Sequence, residues 1–129
     1  MKQLAPSILS ADFICLGEQL KQLQKLCIHY LHIDVMDGMF VPSISFGMPV
    51  IASLRKHTDM FFDVHLMIEE PIRYVNALRQ AGADGLTVHA EACADLPGTI
   101  AAIRERCETG SVLESKNTVK QVRWYFGSS

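Results

Sequence analysis

His32, Asp34 and His65 are the residues of this sequence whose types and spacing best suit a metal ion. His32 and Asp34 are two positions apart in an apolar run at 30–35, and His65 lies in a second run at 61–66. The two-residue period of a strand sends both members of the first pair to one face. Two imidazoles and a carboxylate on neighbouring strands supply three ligands for a divalent transition metal, leaving positions open for water or substrate. The spacing alone also fits two rim histidines hydrogen-bonded to local carboxylates.

Further polar and sulfur-containing side chains follow the same pattern. Met36 and Met67 alternate with the candidate ligands, so they form either core filler or a soft wall beside a substrate. Ser7 lies toward the end of the first apolar run and His89 toward the end of the fourth, where it is either functional or a rim histidine supporting its strand. These residues collect at the carboxyl ends of the predicted strands, where parallel α/β sheets bind their ligands.

Three other polar positions are interpreted as structural. His57 falls in the solvated last turn of a predicted helix, which is favourable for a cation. His29 lies in a helix-to-strand connection, and Asp37-Gly38 is typical of a turn.

Short apolar runs alternate with amphipathic stretches along the chain. The runs predict strands at 4–9, 30–35, 61–66 and 85–90. Between and after them we predict four helices, which begin at Ser10 or Asp12, at Pro49, at Pro71 (ending at Gly82) and at Pro97. A fifth strand at 110–115 and a fifth helix at 118–126 complete the pattern. Alternating strands and helices predict a parallel sheet with right-handed crossovers.

Two architectures fit this α/β pattern, an open doubly wound sheet and a (β/α)₈ barrel. A barrel usually needs about 250 residues, and the chain has 129. Length alone therefore favours an open sheet in one domain, and no linker or low-complexity segment divides the chain.

Composition narrows the range of partners. A net charge of −2 with only 12 basic residues argues against nucleic acid or an anionic membrane surface. No apolar run approaches the roughly 20 residues of a membrane span, and the N-terminal segment is too soon interrupted for a secretory signal. The four cysteines are scattered without a C-x-x-C pair, so we expect reduced thiols and a cytoplasmic protein.

Four blocks of the sequence, in this order, resemble the ribulose-phosphate 3-epimerase family. They are "APSILSADF" at 5–13, "LHIDVMDGMFVPSISFG" at 31–47, "DVHLMIEEP" at 63–71 and "AGADGLTVHAEA" at 81–92. The resemblance runs in register from about residue 3 to residue 106. It implies a (β/α)₈ TIM barrel instead of the open sheet. Residues 1–106 would then be the N-terminal half of the barrel, with four to five βα units in all, and 107–129 a divergent tail with a possible fifth unit.

The resemblance also implies an activity and a set of site residues. The family interconverts D-ribulose 5-phosphate and D-xylulose 5-phosphate, in the pentose phosphate pathway, by proton transfer at C3. His32, Asp34 and His65 match its ligands for one divalent metal ion, which is zinc, iron, cobalt or manganese, and Asp34 also matches an acid/base group. The positions that match residues contacting the sugar phosphate are Ser7, Met36, His65 and Met67.

Parts of the family pattern have no match in these residues. The resemblance implies a second catalytic aspartate, also a metal ligand, and a Gly-rich phosphate loop at a helix N-terminus, and the sequence stops before both. Met39 and Ser43 replace a usual histidine and asparagine. A C-terminally truncated half-barrel would expose strand edges and apolar interior. We therefore expect marginal stability, self-association as a homo-oligomer, or a partner that supplies the other strands.

Two other functions remain open from the sequence. The chain could be an inactive fragment that serves at most as a metal-binding or assembly module. It could also be an epimerase for another ketose phosphate such as allulose 6-phosphate, although "SILSADF" at 7–13 favours the ribulose enzyme. Whether another chain supplies the second carboxylate and the phosphate cradle separates an enzyme from an inactive fragment.

Overall fold

Three parallel strands with intervening helices form the centre of the molecule. The structure is a computed structural model that describes residues 3–105 and two further strands. Its helices are α1 (Leu16–Lys25), α2 (Met48–Arg55), α3 (Val75–Ala81) and α4 (Leu96–Arg104), and its strands are β1 (Tyr30–Met36), β2 (Phe61–Met67), β3 (Gly85–His89), β4 (Leu113–Glu114) and β5 (Gln121–Tyr125). Within the described ranges, every helix is too short or too polar to cross a membrane.

The strand order of the sheet is β1-β2-β3-β5-β4. β1, β2 and β3 pair in parallel, with α2 and α3 as the connections. Three of the predicted strands and all four of the predicted helices before residue 105 are confirmed. A parallel sheet with helices is the arrangement of the first part of a (β/α)₈ barrel, so the fold class implied by the resemblance is confirmed as well.

The predicted first strand at 4–9 is wrong. Only one parallel bridge forms there, between Ser7 and His32, and the His32 N–H donates to the Pro6 carbonyl at 2.9 Å. Pro6 has no N–H to donate to a ladder. The Ser7 hydroxyl then accepts a hydrogen bond from the Leu9 N–H, which turns the chain into a 3₁₀ helix at Ile8–Ser10.

The predicted fifth helix at 118–126 is also wrong where the structure describes it. Gln121–Tyr125 is a strand that runs antiparallel to β3, with His89 opposite Gln121 and Gly85 opposite Tyr125. Its composition, with valine, tryptophan and tyrosine, is typical of strands. Of the predicted fifth strand at 110–115, only Leu113–Glu114 lies within the described residues, where it forms β4 antiparallel to β5.

The central strands have one apolar and one polar face. Leu31, Ile33 and Val35 alternate along β1 with half-buried residues and join the hydrophobic core. The core continues through β2, β3 and the helices, with fully buried side chains that include Phe62, Val64, Leu66, Leu86, Val88, Ile51, Leu78 and Ile103. Because side chains alternate along a strand, burial of this face directs His32, Asp34 and Met36 to the opposite face.

The residues before α1 and after α3 show why the capping signals in the sequence predicted these helices. The Asp12 carboxylate accepts a hydrogen bond from the Ile14 N–H and opens the turn that leads into α1. Gly82 ends α3 with a φ of 118°, a left-handed conformation that favours glycine. A side chain at Gly82 would also overlap Arg55.

Arg55, the last residue of α2, fastens the amino-terminal ends of β2 and β3. Its guanidinium donates to the carbonyls of Thr58, Met60 and Gly82 and to the Asp84 carboxylate at 2.6 to 3.1 Å. The same carboxylate accepts the Phe62 N–H at 2.8 Å. Arg55 therefore satisfies carbonyls that the loops would otherwise leave without partners.

We expect Arg55→Ala to lower the free energy of unfolding by about 2 kcal/mol or more, because it removes charge-assisted hydrogen bonds to groups that are partly buried. Urea unfolding followed by circular dichroism measures the change. The neighbouring exposed Lys56 provides the control, and Lys56→Ala should change the free energy by less than about 0.5 kcal/mol. Equal effects of the two substitutions would show that Arg55 is not a structural anchor.

Candidate metal centre

The register of β1 and β2 brings the predicted ligands together on the polar face. Asp34 lies directly opposite His65, and His32 lies opposite Asp63. Opposite residues on neighbouring strands point to the same side of the sheet, at a strand separation of about 4.8 Å. The pairing therefore places three candidate ligands side by side without help from any loop.

Asp34 is the common partner of this group. Its Oδ1 lies 3.0 Å from Nε2 of His32 and 3.2 Å from Nδ1 of His65, while its Oδ2 accepts a hydrogen bond from the Ser7 hydroxyl at 2.7 Å. Ligand atoms of His32, Asp34 and His65 all lie within 4.8 Å of one another. Two imidazole nitrogens and one carboxylate oxygen at this spacing fit a divalent transition metal.

Asp63 determines how His32 presents its ring. The Nδ1 of His32 lies 3.1 Å from the Asp63 carboxylate. This hydrogen bond is the largest influence on the pKa of His32; together with the charges of Asp34 and Asp63 it outweighs burial and raises the pKa above its usual value. In the neutral ring the carboxylate favours a proton on Nδ1, which leaves the Nε2 lone pair facing Asp34.

His65 is in a different environment. Burial is the largest influence on its pKa and, with the positive charge that His89 can carry, it lowers that pKa despite the nearby Asp34 carboxylate. The His65 side chain is 17% exposed, and that of Asp34 is 14% exposed. A lowered pKa keeps this imidazole neutral near pH 7, the form in which it can bind a metal.

Met36 and Met67 end β1 and β2 and face each other in register. Each is two residues beyond a candidate ligand, so both lie on the polar face. Ser45 fixes this end of β1, because its hydroxyl accepts from the Met36 N–H at 3.0 Å and donates to the Asp34 carbonyl at 2.8 Å. The structure therefore places the two methionines beside the group centred on Asp34.

Asp37 connects the loops that follow β1 and β2. Its carboxylate accepts hydrogen bonds from the N–H groups of Met39 and Phe40 at 2.9 Å and of Glu69 at 2.8 Å, as a turn residue before Gly38 should. Burial acts to raise the pKa of Asp37, but these backbone hydrogen bonds outweigh it and hold the pKa below its usual value.

Three further residues hold the candidate site. Asp63 and His89 hydrogen-bond the rings of His32 and His65, and Ser45 anchors the strand that carries Asp34. The sequence left His89 open between a functional and a supporting role. Asp63 alternates with His65 and Met67 on one strand but was given no role, and Ser45 carried no signal. His29 and His57, interpreted as structural, are exposed and outside the group.

Comparison with known proteins agrees with this geometry. The chain matches the ribulose-phosphate 3 epimerase family over residues 3–127, and it belongs to that family. The match continues past residue 106, while the division of the chain at that point stays a prediction. The family is metal-dependent in general, which is consistent with the group formed by His32, Asp34 and His65.

Several curated relatives carry the name ribulose-phosphate 3-epimerase. The protein of Bacillus subtilis is 50% identical over 122 residues, which cover 95% of this chain and 56% of the relative. The protein of Rhodobacter capsulatus is 47% identical over 79% of this chain and 45% of its own length. A rice relative, named a cytoplasmic isoform, is 47% identical over 72% of this chain and 41% of its own length. The chain thus spans about half the length of the curated relatives it matches.

We expect Asp37→Asn to lower the free energy of unfolding at neutral pH by about 1 kcal/mol, because one carboxylate oxygen that accepts backbone N–H groups becomes an NH₂ donor. The difference from the unmodified protein should shrink as the pH falls through the lowered pKa of Asp37, below its usual value of 3.8. A depressed carboxyl pKa gives stability that is present above this range and lost below it. Urea unfolding at several pH values measures both effects.

Asp59 is the matched control, since it is an exposed aspartate that precedes β2. Asp59→Asn should leave the free energy of unfolding within about 0.5 kcal/mol of the unmodified protein at each pH. If Asp37→Asn behaves like this control, the Asp37 carboxylate does not hold the two loops together.

Proposed function

We propose that this chain carries the metal-binding part of an epimerase site for a ketose phosphate, with D-ribulose 5-phosphate and D-xylulose 5-phosphate as substrates. The observation that carries this proposal is the Asp34 carboxylate, whose two oxygens face two imidazoles and a serine hydroxyl on a largely buried sheet face. Family membership and the names of the relatives support the choice of reaction.

His32, Asp34 and His65 would hold one divalent ion, with zinc, iron, cobalt and manganese as the candidates. Such an ion acts as a Lewis acid that stabilises negative charge on a substrate oxygen. The protein contributes rigidity, because two of these residues are on adjacent positions of one strand face and the third is directly opposite on the next strand. Without a cation among them, the facing ring nitrogens of His32 and His65 and the Asp34 carboxylate oxygen either repel one another or have to share a proton.

Asp34 is assigned the proton transfer at C3. Inverting a carbon next to a ketone requires removal of its proton and return of a proton to the other face, and one carboxylate can serve one face. Oδ1 of Asp34 is turned toward the two imidazoles, so Oδ2 is the oxygen that remains for the proton. The Ser7 hydroxyl donates to Oδ2 at 2.7 Å and so orients this oxygen before substrate binds.

Met36 and Met67 are assigned a place beside the reacting carbons. Their thioethers give bulk and limit water without adding an acid, a base or a competing hard ligand. Excluding water strengthens the electrostatic interactions of the enclosed groups. His65 would contact the substrate as well as the metal, because it lies opposite Asp34 and two residues before Met67 on the same face of β2.

The opposite acid/base group and the phosphate cradle are expected from residues other than those described. The relatives are about twice as long as the matched region, and the resemblance places both features in later strands. We propose that a second copy of the chain or another segment supplies them, which accords with a self-associating, cytoplasmic protein. The alternative is a metal-binding or assembly module without activity.

The test is exchange of the C3 proton of ribulose 5-phosphate in D₂O, followed by NMR, with each candidate metal added. We expect deuterium to enter at C3, and Asp34→Asn to reduce the rate about 100-fold or more because the carboxylate is the base. His57→Asn is the control for substitution at an exposed position and should exchange at the unmodified rate.

Each outcome distinguishes a function. Exchange with inversion means that a complete site assembles, and exchange without inversion means that Asp34 acts while the opposite acid is absent. Metal binding without exchange would leave the metal-binding module as the function. Exchange unaffected by Asp34→Asn would contradict the role of Asp34.

A further inference from the structure

His89 is a largely buried histidine that the proposed reaction does not use. It ends β3, its side chain is 8% exposed, and its ring stacks on that of His65 with centroids 4.9 Å apart and an interplanar angle of 25°. The Phe40 ring packs nearby, with its centroid 5.1 Å from that of the His89 ring. Polar atoms that are this enclosed usually have hydrogen-bond partners, so the surroundings of both ring nitrogens of His89 are informative.

Its first partner is His65. The two Nε2 atoms lie 2.7 Å apart, within hydrogen-bond distance. Two neutral imidazoles at this separation can form a hydrogen bond only if one Nε2 carries a proton and the other does not. The position of the proton on either ring therefore determines its position on the other ring.

The direction of this hydrogen bond depends on which nitrogen of His65 is kept free for a metal. Nδ1 of His89 is buried, has no hydrogen-bond partner within the described residues, and lies 3.7 Å from a carboxylate oxygen of Glu91. Without a metal, the Asp34 carboxylate at 3.2 Å favours a proton on Nδ1 of His65. To bind a metal, Nδ1 of His65 would have to be deprotonated, and the proton of its neutral ring would then be on Nε2. In that state His65 Nε2 donates and His89 Nε2 accepts across the 2.7 Å contact.

We propose that His89 is a positioning residue that selects the proton arrangement and ring orientation of His65, so that Nδ1 of His65 faces the metal position. The inference rests on the proposed metal centre. It parallels the action of Asp63 on His32, but uses a neutral imidazole in place of a carboxylate. Hydrogen-bond partners of metal-binding histidines commonly fix the ring in this way.

The test compares substitutions of His89 that differ in their ability to accept a hydrogen bond from His65. His89→Phe keeps a ring of similar size but has no acceptor, whereas His89→Gln places an amide oxygen near the former Nε2 position. His89→Asn is a second variant without the acceptor, since its amide is one methylene too short. His57→Phe, at an exposed position, controls for the loss of a histidine.

Two readouts are used, neither of them activity. The first is the cobalt affinity of the full chain, from titration of the visible spectrum. We expect affinity to fall about 10-fold or more in His89→Phe and His89→Asn, and to be restored in His89→Gln. The second is the ¹⁵N NMR spectrum of the zinc-loaded protein, in which His65 should show a metal-bound Nδ1 and a protonated Nε2.

The outcomes separate this inference from the proposed function. If the unmodified protein and His57→Phe bind cobalt and all three His89 variants bind it equally well, the positioning role is wrong and the metal centre stands. A His65 bound to zinc through Nε2 would likewise overturn it. If the unmodified protein binds no metal, the metal centre itself is wrong and the inference falls with it.

Discussion

The Asp34 carboxylate is the constraint on which the rest of the site depends. A charged group on a largely buried sheet face is unfavourable unless hydrogen bonds or opposite charges compensate it. Here Ser7, His32 and His65 all approach its two oxygens. The chain segment before α1 and strands β1 and β2 must therefore keep one relative position, and a shift of one residue in register would separate the three partners.

The two faces of the sheet have different roles: one stabilises the fold and the other carries the candidate site. The apolar face packs against helices and contributes most of the hydrophobic stabilisation. That packing leaves the other face free to hold polar residues in fixed directions. Hydrogen bonds of Arg55 and Asp84 fix the amino-terminal ends of the strands, and those of Asp37 and Ser45 fix the carboxyl ends. The strands that carry the site are therefore held at both ends.

The sequence allowed a good prediction wherever one strand or helix determined the outcome. Strands β1 and β2 were predictable because apolar residues alternate with polar ones. The helical segment that contains α3 was predictable because Pro71 begins the 3₁₀ helix that leads into it and Gly82 ends it. The errors at 4–9 and 118–126 arose where the local hydrogen bonds of Ser7, or pairing with β3, overrode the pattern. The contact between His65 and His89 was not predicted, because Thr87 lies directly opposite His65 and the two imidazole rings meet diagonally across β2 and β3.

Anomalous X-ray diffraction from crystals of the cobalt-loaded chain would test the account most directly. The account predicts one strong peak between His32, Asp34 and His65, at bonding distance from an imidazole nitrogen of each histidine and from the Asp34 carboxylate. A peak only at exposed histidines or cysteines, or no bound cobalt, would contradict it. In that case the polar face would be a hydrogen-bonded cluster that stabilises the sheet and binds no metal.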